Sequence, residues 1–226
     1  MPCYSQNLTK ITQIMTLSYF DLTEIVAPVP PEWNGVSELQ NGSLKKAAVQ
    51  LLLAGPPHRL EILLTRRSDK LRLHAGQVSF PGGKPEAGDE TPAMTAAREC
   101  QEETGLSAQL ITHLGYLEPV LTSTNYLVDQ VLGYCAEDPR QLEILLQPDP
   151  AEVDMTWFTP LAPFLVIDAY KRSERLSEDG RLRTFWKIPH SDPMIWGATA
   201  QMLRNLAVCL NKRIQPELDS LSLIHI

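Results

Sequence analysis

Residues 82–106, G-G-K-P-E-A-G-D-E-T-P-A-M-T-A-A-R-E-C-Q-E-E-T-G-L, constrain this chain more tightly than any other stretch. They predict a glycine-rich turn leading directly into a helix that carries carboxylates. Thr91-Pro92 supplies a hydroxyl for the N-cap and a proline for the first helical position, where its missing N–H and fixed φ do no harm. Gly105 suits the position just past the helix end. Between them Glu99, Glu102 and Glu103 stand at i, i+3 and i+4 and share one face. Ala93, Ala96, Ala97 and Cys100 fall on another side, small enough to let the helix lie close to a sheet.

Three like charges on one face repel by about 0.2–0.5 kcal/mol per adjacent pair. Arg98 can offset part of this by pairing with Glu102, or with Glu90 near the helix start. A bound Mg²⁺ or Mn²⁺ would reverse the sign, because hard divalent cations take oxygen ligands and accept several carboxylates at once. A solvated acidic helix face would be written with the same letters. The Gly82-Gly83 turn, whose bare backbone can approach a phosphate chain, weighs against that bland reading.

The segment resembles the Nudix box, G-x5-E-x7-R-E-U-x-E-E-x-G-U with U aliphatic, and its second half matches from Glu90 through Leu106. Six residues rather than five separate Gly83 from Glu90, and Cys100, which packs as a small hydrophobe, takes the aliphatic position. Upstream, residues 63–83 are similar to the signature of the coenzyme A diphosphatase branch of Nudix hydrolases, L-L-T-x-R-[SA]-x3-R-x3-G-x3-F-P-G-G. Leu63, Leu64, Thr65, Arg67, Ser68, Arg72, Gly76, Phe80, Pro81, Gly82 and Gly83 meet every fixed position. Softer matches to that branch are the acidic turn at 148–153 and the segment 195–200. Asn125 stands where the branch has glycine.

The resemblance implies a Nudix-type α/β/α sandwich, with a mixed β-sheet and a loop-helix catalytic motif. It implies metal-dependent hydrolysis of the diphosphate bond of coenzyme A or its derivatives, giving 3′,5′-ADP and 4′-phosphopantetheine. Glu99, Glu102 and Glu103 would hold Mg²⁺ or Mn²⁺, and Arg98 would orient them with Glu90 as its partner. Gly82 and Gly83 would line the diphosphate, and Arg67 and Arg72 would bind substrate. The general base stays open between a box glutamate and Glu152. Two other outcomes are carried alongside: hydrolysis of another nucleoside diphosphate such as ADP-ribose or a dinucleotide, and a non-catalytic domain that only binds a nucleotide.

The residues say something about the substrate without the family. Arg66, Arg67, Lys70, Arg72 and Lys84 outnumber Asp69 in this stretch, although the whole chain carries a net charge of −7. Arginine's planar fork suits bidentate contact with phosphate oxygens. Arg66 and Lys70 read as solvated loop charges, and His74 as a hydrogen-bonded loop residue. The acidic balance argues against non-specific nucleic-acid binding. No apolar run approaches the roughly 18 residues of a membrane span. Four cysteines without a C-x-x-C pair read as free thiols of a reducing, cytoplasmic compartment. The expected partner is a small molecule, and a homodimer is compatible with the sequence.

Residues 1–43 read as an N-terminal extension in which Met15 is an alternative start, 44–214 as the catalytic domain, and 215–226 as a tail. Within the domain, strands are expected over 47–54, 60–65, 109–117, 127–135, 154–158 and 183–188. Ile195, Thr199, Met202, Leu206 and Cys209 recur at helical spacing and predict an amphipathic helix ending before Pro216.

Overall fold

The computed structural model describes residues 18–30, 44–176, 180 and 182–214. Its centre is a parallel pair, β1 (Lys45–Ala54) and β6 (Tyr126–Cys135), in register from Lys45 opposite Tyr126 to Ala54 opposite Cys135. Leu51, Leu52 and Leu53 are fully buried, as a strand covered on both faces requires. β5 (Thr112–Leu121) flanks β6, while β2 (Glu61–Arg67), β3 (Val78–Ser79), β4 (Gly82–Gly83) and β7 (Val153–Pro160) complete a mixed seven-stranded sheet. β4 pairs with β1 and β7 with β2, so the glycine turn and the 148–153 turn lie at the same end of the sheet.

Alternate side chains of β1 face opposite layers. Ala48, Leu52 and Ala54 meet helix α2 (Pro92–Thr104) and the short α3 (Pro139–Leu145) through Ala96, Cys100 and Leu142. Leu51 and Leu53 meet the long α4 (Gly197–Ile214) through Leu203, Leu206 and Leu210. The result is the expected α/β/α sandwich. A smaller three-stranded sheet, β8 (Lys171–Leu176), β9 (Leu182–Ile188) and β10 (Ile195–Trp196), sits beside α4.

Most expected strands are present with shifted ends. The one expected over 109–117 begins later. Ser107 caps the Gln109 amide, a 3₁₀ turn occupies Ala108–Leu110, and β5 starts at Thr112. Ile195 belongs to β10 rather than to the final helix, which starts at Gly197. α3 was not anticipated, although Asp138-Pro139 supplies its N-cap and first position. Asn125 takes φ 65, the left-handed conformation that asparagine tolerates better than other side chains, so the β5–β6 turn keeps its shape without glycine.

Part of the segment expected as an extension packs on this core. Ser18 and Asp21 form a reciprocal capping box on α1 (Tyr19–Glu24), Leu22 is fully buried, and Ala27 exchanges two backbone hydrogen bonds of 2.9 Å with Tyr116. Asp21 also pairs with Arg213 of α4 at 3.2 Å. Residues 1–17, 31–43 and 215–226, with Cys3 and Met15, lie outside the described residues. Among the described residues no helix is long and apolar enough to cross a membrane.

Candidate active site

α2 forms as its sequence dictates. The Thr91 hydroxyl accepts from the Met94 amide at 3.3 Å, Pro92 opens the first turn, and Gly105, at φ 76, donates back to the Gln101 carbonyl. Ala93 and Ala96 set the helix against Ala48, Val131 and Tyr116, while Cys100 is sealed under it. Burial pushes the Cys100 thiol up to about 12, so it is an inert packing residue. This docking fixes which way the glutamates point.

Glu103 is turned inward. Its side chain is 3% exposed, one carboxylate oxygen stands 3.8 Å from the Arg67 guanidinium, and the other, Oε2, is buried with no hydrogen-bond partner. Burial raises its pKa to about 8, against the pull of Arg67, and the neighbouring charges of Glu99 and Glu152 push the same way. Glu99 lies one turn earlier and is also raised, first by burial and then by Glu102 and Glu152, with Arg98 opposing. Its carboxylate rests on Gly83. A Cβ at that position would run into both Glu99 oxygens, and one at Gly82 would run into the β1 backbone. The two glycines are therefore required for close approach, which lets the sheet edge and the helix carboxylates share one small space.

Arg98 organises the outer side. It donates to Asp89 at 3.0 Å, Glu102 at 2.7 Å, Glu99 at 3.1 Å and the Lys84 carbonyl at 2.9 Å. The carboxylate that anchors it is Asp89, not Glu90 as the motif spacing suggested. Counted forward from Gly83, Asp89 stands at the motif's own interval of five, and the Glu90 residue is exposed. The Arg98 hydrogen bond holds the Asp89 carboxyl below the usual range. Glu102 is 56% exposed and drawn to Arg98, on the outside of the cluster.

The upstream motif divides into two classes. Leu63, Leu64 and Phe80 are core, the Thr65 hydroxyl lies 3.0 Å from Ser79, and Ser68 is fully buried. Gly76 adopts φ 67 where a Cβ would strike Asp69. These positions build the scaffold. Arg67 and Arg72 do not: Arg67 reaches into the carboxylate cluster and Arg72 is exposed on the 68–77 loop. Arg66, expected as a solvated charge, bridges Asp69 at 2.9 Å and Asp154 at 3.0 Å and braces that loop. His74 shares a 3.0 Å hydrogen bond with Gln77, as a loop residue would.

Carboxylate oxygens suit a hard divalent cation, and the orphaned Glu103 Oε2, in a carboxyl that burial and the charges of Glu99 and Glu152 push up, is the local observation in favour of one. Among the described residues no group of three acidic, histidine or cysteine side chains stands ready to hold a metal. Glu152 was singled out in the sequence as a candidate base. It sits at the start of β7, where its carbonyl accepts from the Ser68 amide, and its charge acts on both Glu99 and Glu103.

Comparisons with known proteins show the family. The family model for the NUDIX domain matches residues 44–179. The chain is 37% identical over 163 residues to "Nudix hydrolase 15, mitochondrial" of Arabidopsis thaliana, covering 70% of this chain and 56% of that protein. It is likewise 37% identical over 178 residues to "Nudix hydrolase 22, chloroplastic" of the same plant, covering 75% and 56%. The chain thus spans little more than half the length of these two relatives. A third, "Uncharacterized Nudix hydrolase NudL" of Photorhabdus laumondii, is 37% identical over 165 residues, covering 72% of this chain and 83% of that protein.

Proposed function

The chain belongs to the Nudix hydrolase family, and from that premise we propose that it hydrolyses the diphosphate bond of coenzyme A or its derivatives, releasing 3′,5′-ADP and 4′-phosphopantetheine. The observation that carries the reading is the division of residues 63–83. The fold accounts for the motif's apolar, hydroxyl and glycine positions and leaves Arg67 and Arg72 to chemistry. Arg67 stands beside Glu103 at 3.8 Å and would bind phosphate oxygens there. Arg72, exposed on the braced loop, would meet substrate from outside.

Glu99 and Glu103 would hold Mg²⁺ or Mn²⁺, with Glu102 joining by turning from Arg98. Such an ion neutralises charge on phosphate oxygens and lowers the pKa of a bound water. The chain's own groups do the rest. Gly82 and Gly83 offer bare backbone along the diphosphate, and Arg98 keeps Glu99 and Glu102 oriented while Asp89 keeps Arg98 oriented. Glu152, an exposed carboxylate whose charge acts on both inner glutamates, would accept the proton of an attacking water.

The test is hydrolysis of coenzyme A, 3′-dephospho-coenzyme A and ADP-ribose with Mg²⁺ or Mn²⁺, with products separated by chromatography. Metal-dependent release of 3′,5′-ADP is the expected result. Cleavage of ADP-ribose alone would sink the coenzyme A reading and keep a Nudix hydrolase, while binding without cleavage of any of the three would point to a nucleotide-binding domain.

A further inference from the structure

Like Glu103 Oε2, the hydroxyl of Thr156 on β7 is buried with no hydrogen-bond partner. Register and alternation fix where that hydroxyl lies. On β2, Leu63, Thr65 and Arg67 share one face. Leu63 joins Cys100 and Leu106 in one apolar cluster, and Arg67 stands 3.8 Å from Glu103, so this is the face that α2 covers. Thr65 falls between those two contacts. Thr156 stands directly opposite Thr65, as Phe158 stands opposite Leu63, and Phe158 belongs to the same cluster as Cys100 and Leu106. Contacts with α2 therefore bracket Thr156 on both sides, at the turn of helix that carries Glu103.

The chain leading into β7 hangs from that same turn. The Gln147 amide donates to the Thr104 carbonyl at 2.7 Å, and the Asp149 amide to the Glu103 carbonyl at 3.2 Å. The hydroxyl opposite Thr156 is already taken: Thr65 Oγ1 lies 3.0 Å from Ser79 Oγ and 3.2 Å from the Ser79 carbonyl, so those two residues satisfy each other across β2 and β3. A buried hydroxyl left unpaired costs free energy that valine, of nearly the same shape, would not incur. Glu103 has acceptor capacity to spare. A carboxylate offers about four lone-pair sites, and the donors beside this one are the Arg67 guanidinium and the Gly82 amide.

We propose that Thr156 is a positioning residue for Glu103: its hydroxyl supplies the donor that Oε2 lacks, by a turn about χ1 or through one bridging water. A carboxylate oxygen can accept from a donor and ligate a cation together, so Glu103 held in this way keeps lone pairs for a divalent metal. The inference rests on the reading of Glu103 as a metal ligand, and it adds a residue that lies outside both the 63–83 motif and the 82–106 segment. It also accounts for a hydroxyl, rather than a third methyl-bearing branch, at a buried position of β7.

The experiment is calorimetric titration of Mn²⁺ into the full chain without substrate, for the wild type, T156V and T156S, with thermal unfolding in chelator beside it. T156V should weaken Mn²⁺ binding by about tenfold or more, and T156S, which restores the hydroxyl, should bind close to the wild type. In chelator T156V should melt no lower than the wild type, because an unpaired hydroxyl is removed and no bond is broken. Wild-type affinity in T156V, or an equal loss in T156S and T156V, overturns the role. A T156V that melts lower in chelator overturns it too, since the hydroxyl would then be paired within the fold. A wild type that binds no Mn²⁺ removes the metal reading and this role with it. Coenzyme A left uncleaved, with a Mn²⁺ affinity that depends on the hydroxyl, would remove the proposed reaction and leave Thr156 standing. Cleavage of coenzyme A with no such dependence would do the reverse.

Discussion

Glu103→Gln separates the electrostatic strain of the site from its chemistry. A carboxyl held up to about 8 instead of its ordinary 4.5 is disfavoured in its ionised form. At 1.36 kcal/mol per pH unit, this amounts to up to about 5 kcal/mol against the folded state once the group is charged. Because the folded pKa lies above the unfolded one, the unfolded chain loses this proton first. Metal-free stability should therefore fall as pH rises from 4.5 towards 8, with the full penalty present above 8. Glutamine removes that slope and can donate to a neighbouring carboxylate from the position of the orphaned Oε2. The assay is thermal unfolding in chelator across that range, wild type against variant, so that titrations not coupled to Glu103 cancel in the difference. Above pH 8 the variant should melt higher, by about 2–4 °C for each kcal/mol recovered in a domain of this size. Added Mn²⁺ or Mg²⁺ should raise the wild-type midpoint and leave the variant's unmoved, while turnover in the variant is abolished. A variant that melts at or below the wild type at high pH in chelator would refute the reasoning, because Glu103 would then carry no buried charge to remove.

The other predictions concern single contacts. Gly83→Ala should lower kcat at least about tenfold, because the new Cβ displaces the Glu99 carboxylate; steady-state kinetics with saturating metal checks this. Asp89→Ala should cut activity and weaken metal-dependent stabilisation, whereas Glu90→Ala should leave both near wild type, and a reversed order would restore the motif's own partner for Arg98. Ala96→Leu should destabilise the protein by about 1–3 kcal/mol by lifting α2 off β1, measured by denaturant unfolding. Cys100 should resist thiol reagents in the native protein and react only on unfolding.

What the sequence made legible was local. The α2 boundaries followed from Thr91-Pro92 and Gly105, and its packing side from the alanines. The central strands followed from their apolar runs. Partners set by tertiary contact were not legible. Asp89 rather than Glu90 meets Arg98: the motif's interval counted forward from Gly83 lands on Asp89, counted back from Arg98 it lands on Glu90, and only the folded loop decides between them. Arg66 read as a solvated charge because Asp154, one of its two partners, lies far away in sequence. The burial that lifts Glu103 depends on how α2 sits on the sheet, whereas its neighbours Glu102 and Glu99, identical in type, end up exposed and intermediate.

The layer formed by α4 has a practical consequence. The region recognisable as a NUDIX domain, 44–179, ends before β9, β10 and α4 and begins after α1. Yet Leu203, Leu206 and Leu210 close one whole face of the central sheet, and Leu22 is sealed in the same cluster. A protein trimmed to the recognisable boundaries would leave Leu51, Leu53 and Leu132 facing water, a contiguous apolar surface that favours aggregation. Here the region recognisable as a NUDIX domain and the unit that folds have different ends, and expression or domain-grafting work has to follow the second.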